Sequence, residues 1–233
     1  VIPVIIDPDT GNGDLNRTKD ILRLYQEIRN QVEQPDDFYS QEIRTINEIA
    51  VDTPTVNPDY FQFKLKDTDT NTFNQYIGFD SLSEAILEKD DKNFVRLLYS
   101  AQNLRSNLDV GFKGNPNMGS IILHQFTNSE DFKKFGQTFD DDDAIFIVNS
   151  IFGGTGAAGF PLLLKNIRGN KNIPRHVKIK EAPVGGITFL PYFSLSKNDE
   201  INAESFEEKA KIAIDYYNRT IISLNQVNML YFI

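Results

Sequence analysis

The chain has 233 residues, 40% of them hydrophobic, and 24 Lys+Arg against 33 Asp+Glu give a formal net charge of −9. That length suits one α/β domain or at most two small ones, and the acidic balance argues against broad binding to nucleic acid or anionic lipid. The absence of cysteine excludes disulfides, thiolate zinc sites and cysteine nucleophiles, and two distant histidines, His124 and His176, leave little room for a histidine metal site.

Val1 to Ile6 reads as a buried strand ending at Asp7, and Pro8 to Gly13 as a loop. A helix is expected from about Asp14 to Arg29, with Leu15, Ile21, Leu22, Tyr25 and Ile28 at helical spacing and Asp14 as its cap. Residues 31 to 80 are polar and irregular except for Tyr60 to Leu65, whose alternation fits a half-buried strand. Helical spacing returns from Ser81 to about Asn103, and a short helix near Ser120 to Phe126 follows the glycine-rich stretch Gly111 to Gly119. Asp140 to Asp143 reads as a solvated loop ahead of the strand Ala144 to Val148. No calcium-loop alternation supports a cation site there.

After that strand come Gly153-Gly154-Thr155-Gly156 and a helix through Leu162, Leu163, Leu164 and Ile167, in which Pro161 is expected to cost little. His176 is placed at the start of a strand with Val177 and Ile179, and Gly185 to Leu190 forms another. The last helix spans about Glu204 to Leu224 and leads into an aromatic-rich closing strand expected in the core. Strands alternating with helices predict an α/β fold, Rossmann-like, with a mainly parallel sheet covered by helices on both faces. Both ends read as core strands, so a fragment or the ordered part of a longer chain is expected. No apolar run approaches the roughly 18–20 residues of a membrane span and the start shows no signal peptide, so a soluble, cytoplasmic domain is expected.

Three loops carry candidate chemistry. The strand Ile145 to Val148 runs into a glycine turn that opens a helix, where backbone N–H groups and the helix dipole make an anion site, with Thr155 able to donate its hydroxyl. A tight strand-to-helix turn without ligand explains the same residues. Gly111 to Gly119 contains a Gly-Asn-Pro turn, readable as a surface loop or as amides beside a phosphate. Asp7-Pro8-Asp9-Thr10 ends the first strand with two carboxylates, able to hold hydrated Mg²⁺ or to face a sugar hydroxyl, or simply solvated. All three fall at one predicted sheet edge.

In combination the three loops resemble the tubulin/FtsZ superfamily of nucleotide-binding, filament-forming GTPases. The family's glycine signature, Gly-Gly-Gly-Thr-Gly followed by a small residue, stands here as Phe152-Gly153-Gly154-Thr155-Gly156-Ala157-Ala158, with Pro161 in the register of the bacterial Ala-Ala-Pro. Asp7-Pro8-Asp9-Thr10 with Asp14 and Arg17 is similar to Asp-Leu-Glu-Pro-Thr-x-x-Asp-x-x-Arg, and Gly114-Asn115-Pro116-Asn117-Met118-Gly119 to Gly-Asn-Pro-Glu-x-Gly. Gly186 to Tyr192 and the helix and strand after it follow the family order. The resemblance implies GTP or GDP with Mg²⁺ as ligands. Gly153, Gly154, Thr155, Gly156 and Ala157 would cradle the phosphates, Gly114, Asn115 and Pro116 would close over the γ-phosphate, and Asp7, Asp9 and Thr10 would lie beside them. Asp9 is the metal candidate. It also implies head-to-tail self-association into filaments, without direct nucleic-acid partners.

Departures accompany the match. Phe152 and Ala158 replace glycines, residues from about 30 to 81 read as an insertion, and the family's first strand and phosphate loop have no counterpart. The acidic loop that activates water is also outside these residues, so no catalytic residue is assigned. Two other readings stand beside this one. One is a non-hydrolysing scaffold that keeps the fold. The other is an ATP-dependent adenylating enzyme of the kind that activates ubiquitin-like proteins, suggested by Asp7-Pro8-Asp9 and Asn16-Arg17, which leaves the glycine loops unexplained.

Overall fold

The computed structural model of the chain describes residues 1–34, 37–50, 61–82, 86–192 and 203–233. Among these the element order is α1 (Asp14–Gln31), α2 (Ile46–Ile49), α3 (Phe73–Tyr76), α4 (Ile86–Leu98), α5 (Ala101–Leu104), α6 (Pro116–Leu123), α7 (Glu130–Thr138), β1 (Ile145–Ser150), α8 (Gly154–Gly169), α9 (His176–Glu181), β2 (Val184–Phe189), α10 (Ala203–Tyr217) and β3 (Met229–Phe232). The three strands form one parallel sheet in the order β1-β2-β3, flanked by helices, a Rossmann-like α/β arrangement. Val148 pairs with Ile187, and Ile187 with Tyr231.

The helices sit where their sequences direct. Ser129 opens α7 by accepting from the Phe132 N–H at 3.1 Å, and Phe132 is buried on the inward face. This helix was not expected from sequence, although the Ser129 cap and the Phe132/Phe135 spacing announce it. Helix α1 runs close to its expected span, but Gly13 rather than Asp14 stands at its N-cap. Its buried positions are Leu15 and Lys19, while Ile21 and Ile28 are exposed. The Lys19 ammonium donates to Gln62 Oε1 at 3.3 Å, which offsets its burial.

Several expectations are corrected. The opening segment is not a buried strand: Val1 is 65% exposed, and only Ile5 bridges, in parallel, to Gln62. In the Tyr60–Leu65 stretch Phe61, Phe63 and Leu65 are buried and Lys64 is exposed, as the alternation predicts, but Gln62 is buried as well and the stretch forms only an isolated bridge to Ile5 rather than a strand; Tyr60 lies outside the described residues. Ala85, assigned to the helix expected from Ser81, also lies outside them. His176 opens a helix, not a strand, with Val177 exposed and Ile179 fully buried. The closing strand pairs with β2, yet Met229, Tyr231 and Ile233 are each half exposed, since β3 is an edge strand.

Pro161 sits in the interior of α8 rather than in its first turn. Lacking an N–H, it leaves the Ala157 carbonyl without its helical donor. The buried Tyr217 hydroxyl supplies one at 3.3 Å and accepts from Asn149 Nδ2 at 3.3 Å, while Asn149 Oδ1 accepts from the Thr188 hydroxyl at 3.0 Å. Burial pushes the Tyr217 phenol well above its ordinary pKa, so the hydroxyl stays protonated and able to donate. Tyr217→Phe is expected to cost about 1–3 kcal/mol, because a buried carbonyl and a buried amide lose a partner together. Chemical denaturation with an unchanged m-value checks it.

Candidate functional site: three loops around a glycine turn

The loop after β1 turns at Ile151–Gly153 and enters α8 through Gly153, whose backbone is extended (φ −82°, ψ 164°). No side chain caps this helix start. The first-turn N–H groups of an uncapped helix point outward beside the positive end of its dipole. The turn itself requires glycine. A Cβ on Gly156 would lie 2.4 Å from the Ser150 carbonyl oxygen and 2.8 Å from the Ser150 nitrogen. Ala157 and Gly154 are buried, whereas Gly153, Thr155 and Gly156 keep partial exposure.

The second loop lies directly against this turn. A Cβ on Gly154 would fall 2.5 Å from Phe112 Cβ and 3.2 Å from the Asn115 nitrogen. One residue-sized approach thus joins the two glycine loops, and α6 packs along α8 through Gly119, whose Cβ would meet the Gly154 carbonyl oxygen at 2.6 Å. Asn115 spends its side chain locally: Oδ1 accepts from the Asn117 and Met118 N–H groups at 3.1 and 3.3 Å, capping α6, with Pro116 at the first position. Gly114 takes a left-handed φ of 69°, as the turn requires.

The third loop is tied to the second through its backbone. The Thr10 and Gly11 N–H groups both donate to the Asp109 carbonyl at 2.9 Å, and Asp9 lies beside Gly111. Asp7 accepts from the Asp9 N–H at 2.9 Å, while Asp9 accepts from the Asn12 backbone and side chain at 3.0 and 2.7 Å. Pro116, Gly114, Asn115, Gly153 to Ala157, Asp7, Asp9 and Thr10 therefore sit on three loops joined edge to edge. Two contributors were not singled out from sequence. Ser150 forms the wall of the glycine turn, and Asp109 anchors the aspartate loop while its Oδ1 is buried without a hydrogen-bond partner among the described residues.

Burial raises the Asp7 carboxyl above its ordinary pKa of 3.8; the Asp9 N–H opposes this and the Asp9 charge adds to it. An aspartate whose folded pKa is raised stabilises the fold fully below the unfolded pKa, and that contribution is lost as pH rises through the folded pKa. Asp7→Asn is therefore expected to increase stability at pH 7 relative to the parent and to leave it nearly unchanged at pH 3. Melting temperatures across that range check the sign.

Among the described residues no group of three or more His, Asp or Glu side chains is arranged to hold a metal ion. The run Asp140 to Asp143 is engaged instead by Lys178, whose ammonium lies 2.7 Å from Asp140 and 2.8 Å from Asp141. Lys178 holds the Asp140 carboxyl below its ordinary range. His124 and His176 are both exposed. At the mouth of the glycine turn, the Phe152 ring stands edge-on to Tyr192, with centroids 6.0 Å apart. No helix among the described residues is long and apolar enough to cross a membrane.

Fold and site together define a parallel α/β domain in which the loop after β1 meets two neighbouring loops at a glycine-lined helix start. No family model and no solved structure matches the chain. It is similar to the mitochondrial division protein fszB of Dictyostelium discoideum, with 28% identity over 120 residues. That stretch takes in 52% of this chain and 28% of the length of fszB.

Proposed function

We propose that the three-loop cradle binds a guanine nucleotide, GTP or GDP, with Mg²⁺, and that the nucleotide-bound protein self-associates head to tail as tubulin/FtsZ-type proteins do. The observation that carries this reading is the contact of Gly154 with Phe112 and Asn115. It sets a second glycine loop against an uncapped helix start, leaving no room for a side chain between them. Such a cradle fits phosphate oxygens, which approach backbone N–H groups closely where no Cβ intervenes.

The phosphates would lie over Gly153 to Ala157, with the Thr155 hydroxyl as a further donor. Gly114, Asn115 and Pro116 would cover the terminal phosphate with backbone, since the Asn115 side chain already caps α6. Mg²⁺ would be held chiefly by phosphate oxygens and water, with Asp9 as the nearest carboxylate in the reading, because this ion commonly keeps several waters and takes only one or two carboxylates. Asp109 Oδ1 offers an unsatisfied acceptor to a ligand hydroxyl or a coordinated water. The similarity to a mitochondrial division protein points the same way as the motifs. A heterologous head-to-tail contact that does not close gives filaments.

Sedimentation tests the reading. GTP with Mg²⁺ is expected to bring the protein into the pellet, while ATP and nucleotide-free buffer leave it in the supernatant. Pelleting that ignores nucleotide would favour the scaffold reading, and a selective response to ATP would favour the adenylating one.

A further inference from the structure

Among the described residues, four that are not glycine take a left-handed φ: Asp67, Lys113, Arg175 and Asn225. Asp and Asn tolerate that region because a short polar side chain bonds locally, whereas Lys and Arg have no such compensation. Arg175 uses its guanidinium to hold the Phe139 carbonyl at 2.6 Å, ahead of the aspartate run. Lys113 lies instead on the loop pressed against the first turn of α8. The Asn115 N–H donates to the Phe112 carbonyl at 2.8 Å and closes a four-residue turn. Its central positions, Lys113 (φ 46°) and Gly114 (φ 69°), are both left-handed, a geometry that favours Gly or Asn at each. Phe112 and Asn115, the two ends of this turn, both stand against Gly154. A lysine that is exposed and conformationally costly therefore sits beside the helix start.

We propose that the Lys113 ammonium pairs with the terminal phosphate of a bound nucleoside triphosphate and so sets the preference of the site for triphosphate over diphosphate. This rests on the nucleotide reading given above. Residues 7–13, 109–119 and 150–157, which make up the three loops, carry the carboxylates of Asp7, Asp9 and Asp109 and one basic side chain, that of Lys113. A polyphosphate entering this surface meets more negative than positive charge, so the Lys113 charge decides how well it is held. The turn fixes the Lys113 backbone next to Gly154, and a flexible four-carbon stem lets the ammonium follow the outermost phosphate. A diphosphate lacks the oxygens at that end. The pairing, a charge-assisted hydrogen bond and among the strong ones, is then made with the triphosphate alone.

The test compares GTP and GDP affinities of the parent and of Lys113→Gly by calorimetric titration, with melting temperatures alongside. Glycine suits the left-handed turn, and the strain it relieves offsets the entropy it adds to the unfolded chain, so melting is expected within about 3 °C of the parent. GTP is expected to bind about tenfold more weakly or worse, while GDP affinity changes by less than about threefold. Lys113→Gln, which keeps the stem and removes the charge, should give the same split. Variants that keep the GTP-to-GDP affinity ratio of the parent overturn the assignment of Lys113 and leave the nucleotide reading in place, and so does an equal loss for both nucleotides. A parent that binds neither nucleotide overturns that reading and this proposal with it.

Discussion

Gly156→Ala is expected to lower unfolding stability by about 3 kcal/mol or more, a larger effect than most single methyl additions produce. The added carbon would stand 2.4 Å from the Ser150 carbonyl oxygen and 2.8 Å from its nitrogen. Both obstacles are backbone atoms at the end of β1, so no side-chain rotation relieves the overlap. The strand end or the first turn of α8 must move instead. Ser150 pairs with Phe189 across the sheet, and α8 packs on β1 below the turn, so either movement disturbs the core. Urea denaturation of parent and variant reads the cost directly. Gly169→Ala, where nothing lies within 4 Å of the added carbon, serves as the control and should cost little.

Gly154→Ala is expected to weaken GTP binding by 100-fold or more, conditional on the proposed nucleotide site. Its Cβ would overlap Phe112 Cβ at 2.5 Å and crowd the Asn115 backbone at 3.2 and 3.3 Å. The 111–116 loop must withdraw from the helix start, which opens the cradle and misplaces the amides that face the terminal phosphate. Displacing preorganised donors by about an ångström is costly because their value lies in fixed geometry. Fluorescence titration with a labelled guanine nucleotide, at a temperature where the variant remains folded, checks this. Retained affinity with a lowered melting temperature would show that the loop contact serves packing alone.

The architecture was legible wherever an apolar run met a clear stop. Ile145 to Val148 before the glycine turn, Gly185 to Leu190, the long helix after Asp14 and the final helix all lie close to their expected places. Short or two-sided segments were not. Val177 and Ile179 alternate like a strand, but six residues from His176 wind into a helix that buries Ile179 alone. Val1 to Ile6 is apolar enough for a core strand, yet burial of a strand depends on neighbours that sequence composition does not specify. Only the glycine turn follows a sheet strand, while the 7–13 and 111–119 loops do not, so for the site it was the residue types that were readable. The close approach of Gly154 to Asn115 was not, since it depends on how α6 crosses α8. Nor was the Tyr217 hydroxyl that serves the carbonyl freed by Pro161, a contact across 60 positions of chain.

The central claim, a nucleotide site on the three joined loops, is tested most directly by calorimetric titration of the protein with GTP, GDP and ATP, each with and without Mg²⁺. The account predicts saturable, one-site binding of GTP and GDP, strengthened by Mg²⁺ for GTP, weak or absent for ATP, and lost in Gly154→Ala. Absence of heat with every nucleotide, or equal binding by parent and Gly154→Ala, would contradict it.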